Sequence, residues 1–325
     1  MSFPKKACAA EAASPLSRPR WKKTLLELKH QSIFYLLALP GVIFMILFNY
    51  APMPGLYMAF TKYTYKGGIF GSEFVGLANF RFLAANRHDA LRAVRNTLVM
   101  NLGGNVLGLA FNVAVAIIMG EINHERYRKG VQTAILFPYF LSWMVVGCLA
   151  RVLLDSNRGL LNSLITALGG TPVSWGNSPQ YWWAIMIITS MWKGFGYGSI
   201  VYYAVLTGFD PCLYEAAKLD GASRLRCIFE ITIPLLKPTI CTMFLLSVGH
   251  LLGSSLEQTL GMTQMAGSLL ETTDTISTYI YRTTMKLGNY GVSAAISLFQ
   301  SVIGFLLVVF SNAVVKKIDP DYGLF

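Results

Sequence analysis

The sequence predicts an all-α membrane protein with about six transmembrane helices, on three observations. Hydrophobic residues make up 54% of the 325-residue chain and charged residues only 13%, against about 25% charged in a soluble domain. That leaves too little polar surface for a water-facing exterior. Six stretches approach the roughly 20 apolar residues that a helix needs to cross hydrocarbon. The net charge of +11 is not gathered into a nucleic-acid patch. Instead, Lys5, Lys6, Arg18, Arg20, Lys22, Lys23 and Lys29 precede the first apolar run, as the positive-inside rule expects of a cytoplasmic arm.

The predicted spans are 33–53, 96–119, 131–154, 181–206, 234–255 and 291–315. They leave a cytoplasmic arm at 1–32, a membrane domain at 33–315 and a tail at 316–325. Six crossings put both termini in the cytoplasm. Lys62, Lys66, Arg81, Arg87, Arg92 and Arg95 then fall in the first external loop, where a long loop is only weakly governed by charge. Tyr65-Lys66-Gly67-Gly68 marks a turn, and Trp175, Tyr181, Trp182 and Trp183 sit where aromatic residues anchor at headgroups. Segment 256–290 is too polar to span and reads as an external loop. Gly194, Gly196 and Gly198 would tolerate a bend in the fourth span. Cys8, Cys148, Cys212, Cys227 and Cys241 have no metal-ligand spacing and are expected to be free thiols.

The densest signal lies between spans four and five, at about 208–233. Glu215-Ala216-Ala217-Lys218-Leu219-Asp220-Gly221-Ala222 reads as a short helix ended by a glycine, which can take the positive φ of a helix terminus. Pro234 then opens the next span, where a missing N–H costs least. A plain turn needs only a few residues. This stretch, through Pro238, resembles the EAA loop of binding-protein-dependent ABC importer permeases, with Ile233-Pro234 in place of Leu-Pro. Phe74 to Phe80, Asn96-Thr97-Leu98 and Trp192 to Gly196 are similar to segments of maltose-type sugar permeases. Leu256-Glu257-Gln258, Thr275 to Arg282 and Ser297 to Gly304 resemble the polysaccharide branch, which includes alginate importer permeases. Ser277 departs from the Asp often found there.

The resemblance implies a cytoplasmic coupling helix in which Glu215 makes a polar contact with an ATPase subunit. Ala216, Ala217, Asp220, Gly221 and Ala222 form the rest of that surface. It implies two ATPase subunits, a second permease subunit, a periplasmic solute-binding protein and a bacterial inner-membrane location. The chain has no phosphate-binding loop of the G-x-x-x-x-G-K-[ST] type. ATP and Mg are therefore expected on the partners, with no cofactor, metal or catalytic residue here. The expected cargo is an oligo- or polysaccharide, with an acidic one such as alginate within the branch resembled. The alternatives are a permease for a non-sugar solute and an enzyme acting on lipid-linked sugars. The enzyme would need paired carboxylates, whereas Asp155 and Glu257 are isolated.

For a transport path, Asn101, Gly104, Asn105, Gly108 and Asn112 fall within about 100° of one helix face. Amides avoid lipid, so this stripe lines a path or packs against another helix. Lys193 lies near mid-membrane, where a charge is costly; it would attract an anionic substrate or pair with a carboxylate. Trp143, Trp192 and Tyr197 could stack on sugars or serve as ordinary membrane aromatics. Ser297, Ser301 and Gly304 share a face suited to packing, and His250 is read as hydrogen-bonded structure.

Overall fold

A computed structural model describes residues 32–318. The basic arm, Cys8 and the last seven residues lie outside the described residues. The chain divides into two units, Met1–Gly55 and Leu56–Phe325. In the first, helix α1 (Ser32–Met45) continues as a π-helical stretch, Ile46–Tyr50. Its apolar side chains are exposed all round, as expected of a helix whose solvent is lipid.

The second unit opens on the end of a 3-10 helix (Met53–Phe60), followed by an antiparallel hairpin, β1 (Thr61–Thr64) and β2 (Gly68–Phe74), which pairs Thr61 with Phe74. Helix α2 (Ala78–Ala85) leads into α3 (Arg87–Gly120). Asp89 in the first turn of α3 suits the positive end of the helix dipole. Then come α4 (Glu125–Phe140), α5 (Trp143–Leu153), α6 (Leu160–Ala167) and α7 (Trp182–Leu206). Next are α8 (Pro211–Leu219), α9 (Arg224–Cys227) and α10 (Ile233–Val248), the last two joined by a π-helical stretch. Helices α11 (Leu256–Thr263), α12 (Leu270–Thr273) and α13 (Ile276–Met285) precede the final long helix α14 (Tyr290–Ile318).

Helices α3 and α7 form the most extensive helix pair. Three buried clusters hold the unit. Val113, Ala116, Tyr202 and Leu236 join α3, α7 and α10. Val146, Trp182, Met186 and Met262 join α5, α7 and α11. Ala93, Ile276, Tyr279, Val292 and Ile296 join α3, α13 and α14.

The structure corrects the sequence reading in four places. The third predicted span is broken: α4 and α5 meet at 94°. Pro138 sits in the last turn of α4, Leu141 is extended, and the Ser142 hydroxyl accepts from the Val145 N–H to start a new helix. Conversely, α7 runs unbroken through its glycines. They admit neighbours instead: a Cβ on Gly196 would lie 1.9 Å from the Ile135 carbonyl oxygen, and one on Gly198 would meet the Asn112 amide. The fifth helical run begins at Arg224 and stops at Val248. There Asn101 Nδ2 donates to the Leu251 and Gly253 carbonyls, at 2.6 and 2.5 Å, and stabilises a turn that replaces the helix.

The fourth correction concerns 256–290, read as a polar loop. It folds into α11–α13, and Thr259, Thr263, Thr272, Thr273, Thr275 and Thr278 are buried. Thr263 and Thr273 bond carbonyls four residues back, Thr275 with Thr278 closes a capping box, and Thr272 donates to the Pro179 carbonyl at 2.7 Å. Threonine polarity therefore did not mean exposure. Among the described residues, four helical runs, plus the bent α4–α5 pair, are long and apolar enough to cross a membrane. Helix α7 is long enough, but its Trp, Tyr and Gly content and Lys193 keep it below that apolarity.

Candidate functional site

Helix α8 carries the Glu215 motif. Asp210 caps its N-terminus by accepting from the Cys212 N–H, and Pro211 occupies the first turn. At the other end Gly221 takes φ +79°. The Gly221 N–H bonds the Lys218 carbonyl and the Ala222 N–H bonds the Ala217 carbonyl, the two bonds of a Schellman stop. Ser223 then caps α9. The Tyr214 hydroxyl bonds Thr232 Oγ1 at 3.0 Å, tying α8 to the start of α10.

Glu215, Ala216, Asp220 and Gly221 are exposed, and Ala217 and Ala222 are half-buried. Glu215 forms no hydrogen bond or ion pair among the described residues. Apolar side chains surround it on the surface: Leu219 is 90% exposed, Leu225 68% and Phe229 66%. So α8 is rigidly capped yet presents uncovered leucines and a free carboxylate.

The predicted path residues separate into two places. Asn101, Gly104, Asn105, Gly108 and Asn112 line one groove of about 190 Å³, closed by Ser190, Met191, Gly194 and Phe195 of α7. Asn101 is committed to the turn after α10, and Asn112 Oδ1 is buried without a partner. Lys193 and Tyr197 face the α4–α5 break instead. Lys193 Nζ donates to the Tyr139 carbonyl at 2.6 Å and lies over the Tyr139 and Trp143 rings. Tyr197 stacks on Tyr139 with centroids 4.9 Å apart and planes 12° from parallel. Lys193 has no carboxylate partner among the described residues. Its charge meets a carbonyl at a helix C-terminus, the negative end of the dipole. Trp192 is exposed and lines neither place.

Residues 112–322 match the model of the binding-protein-dependent transport system inner membrane component. The chain belongs to that family. It is a permease subunit of an ABC importer. Permease relatives include the polygalacturonan/rhamnogalacturonan transport system permease protein YteP of Bacillus subtilis (strain 168), 34% identical over 96% of this chain and 98% of the relative. A solved structure of a bacterial ABC transporter involved in the import of the acidic polysaccharide alginate contains a chain 31% identical. It covers 91% of this chain and 99% of that one, with a TM-score of 0.81. A second, of an alginate ABC transporter in complex with an alginate pentasaccharide-bound periplasmic protein, is 32% identical with a TM-score of 0.80, covering 92% and 97%.

One constellation in this permease escaped the sequence reading. Asp274 is fully buried and pairs with Arg92 at 3.0 Å and Arg282 at 2.8 Å, while Thr278 donates to its other oxygen. Asn96 donates to the Asp274 and Glu271 carbonyls. The network bolts the α12–α13 segment to α3. No local signal marks it, because Arg92 lies 182 residues from Asp274.

Proposed function

We propose that this permease carries acidic oligo- or polysaccharide, delivered by a periplasmic solute-binding protein, across the bacterial inner membrane by alternating access. In this reading α8 is the cytoplasmic coupling helix, the chain crosses six times with the third crossing bent, and both termini are cytoplasmic. Arm, membrane domain and tail keep the bounds 1–32, 33–315 and 316–325. A second permease subunit completes the path, and two separate ATPase subunits bind ATP and Mg. The chain itself performs no hydrolysis. The observation that carries the coupling role is the capped α8–α9 corner, on which Glu215, Ala216, Leu219, Asp220, Gly221 and Leu225 are exposed. Ala217 and Ala222 then let a partner approach the helix closely.

The substrate class is supported by the acidic polysaccharides named for YteP and the alginate transporters, and by the cation of Lys193 beside Tyr139 and Tyr197. Asn101, Asn105 and Asn112 form a second polar lining. The test is ATP turnover by the reconstituted importer with its binding protein, using oligogalacturonate, alginate oligomers and neutral maltodextrin. Stimulation by the uronates alone is expected. Equal stimulation by the neutral glycan overturns the acidic cargo. Intact, coupled turnover after combining Glu215→Lys with Gly221→Asp overturns the coupling role.

A further inference from the structure

We infer that the cavity behind α8 is a phospholipid headgroup site, suited to phosphoethanolamine. The cavity measures about 300 Å³ and lies at one end of three helical runs, at Gly120 of α3, Leu206 of α7 and Arg224, where the run that becomes α10 begins. Its floor is Ile117, Leu206 and Cys227; its rim carries Lys218, Arg224, Glu121 and Asn123. None of those four side chains has a hydrogen bond or ion pair among the described residues. Two unpaired cations opposite one unpaired carboxylate match a group with an anionic phosphate and an ammonium donor. Lys218 and Arg224 would take the phosphate oxygens, Glu121 the ammonium, and the apolar floor the glycerol and first methylenes. A basic pocket between helices at the membrane boundary is where headgroups are held. The site rests on the proposed reading only in placing this end of the spans at the membrane surface. It shares Ala222 with the proposed coupling surface, while Glu215 and Leu219 do not line it.

Native mass spectrometry of the full importer, released from nanodiscs, tests it. The discs hold phosphatidylethanolamine, phosphatidylglycerol or phosphatidylcholine, whose quaternary ammonium cannot donate a hydrogen bond. Wild type should retain phosphatidylethanolamine above the other two. Combining Lys218→Gln with Arg224→Gln should cut retention roughly thirtyfold, at about 1 kcal/mol per basic residue. Glu121→Gln should abolish the preference over phosphatidylcholine. All three side chains are exposed, so thermal unfolding should be unchanged. Equal retention in wild type and the double variant overturns the site. So does displacement by inorganic phosphate, which marks a free-phosphate site, or retention seen only without the ATPase subunits, which marks a protein-occupied cavity. Loss of assembly in Glu215→Lys with lipid retained would leave this site standing, so the two readings fail separately.

Discussion

Asp274 is a costly residue to remove. Its carboxylate is inaccessible and holds two guanidinium groups from different elements. Taking one partner out of a buried ion network strands the other charges and costs about 3–5 kcal/mol. Asp274→Ala is therefore expected to lower the thermal unfolding midpoint sharply, and proteolysis should begin within α11–α13. At Lys193 a different outcome is expected. Lys193→Met keeps the stem but loses the bond to the Tyr139 carbonyl and the charge that would favour a uronate. Uptake should lose its preference for acidic over neutral oligomers while the protein still folds; unchanged selectivity removes Lys193 from the path. Asp155 responds to pH. Backbone N–H groups of Arg158 and Asn157 hold its pKa below the usual carboxylate range. Its folded pKa is depressed, so its contribution is present above the unfolded value of about 4 and is lost as pH falls. Hydrogen exchange of the 155–159 turn should quicken on acidification and not above neutrality.

The elements divide into those the sequence made legible and those it did not. Helix α8 was readable because its signals are local: a strong helix-forming run and a glycine at the positive-φ stop. Putting an L side chain at Gly221 costs about 1–2 kcal/mol, so Gly221→Asp should loosen the corner between α8 and α9. The measurable sign would be ATP turnover that no longer responds to the binding protein. The long helices were also readable, since apolar length is a local quantity. The break between α4 and α5 was harder, because apolarity continues across it and only Pro138 and Ser142 mark it. Ser142→Ala should cost about 1 kcal/mol of cap without straightening the pair, since Lys193 still holds the end of α4. Segments α11–α13 were misread for a physical reason. Thr263, Thr273 and Thr278 bond their hydroxyls within about one turn, and Thr272 reaches the Pro179 carbonyl, so these side chains can be buried, a use that hydropathy cannot see. The groove sorts the same way: the Asn stripe on α3 could be seen by its spacing, whereas the assignment of Asn101 to a turn 150 residues away could not.

For the whole molecule, exposure divides by purpose. The apolar flanks of α1, α3 and α14 are uncovered over long runs, which lipid and a second permease would cover. The leucines beyond the ends of those runs need another explanation. Leu219 lies on the polar, capped α8, and burying a fully exposed leucine is worth about 1.5–3 kcal/mol. Such a residue gains most by docking into a protein cleft, next to the unpaired Glu215. If force from ATP enters the permease here, Leu219→Asp removes that burial and adds a third carboxylate, beside Glu215 and Asp220, to the contact. Affinity for the ATPase subunits should fall roughly a hundredfold, about 2.7 kcal/mol. The membrane helices should be untouched, because Leu219 contacts none of the three buried clusters. The measurement is co-purification of tagged permease with its ATPase, alongside the permease's own melting curve. A lost partner with an unchanged melt is the expected pair of results. Retained partner and turnover would place the coupling surface elsewhere on the chain.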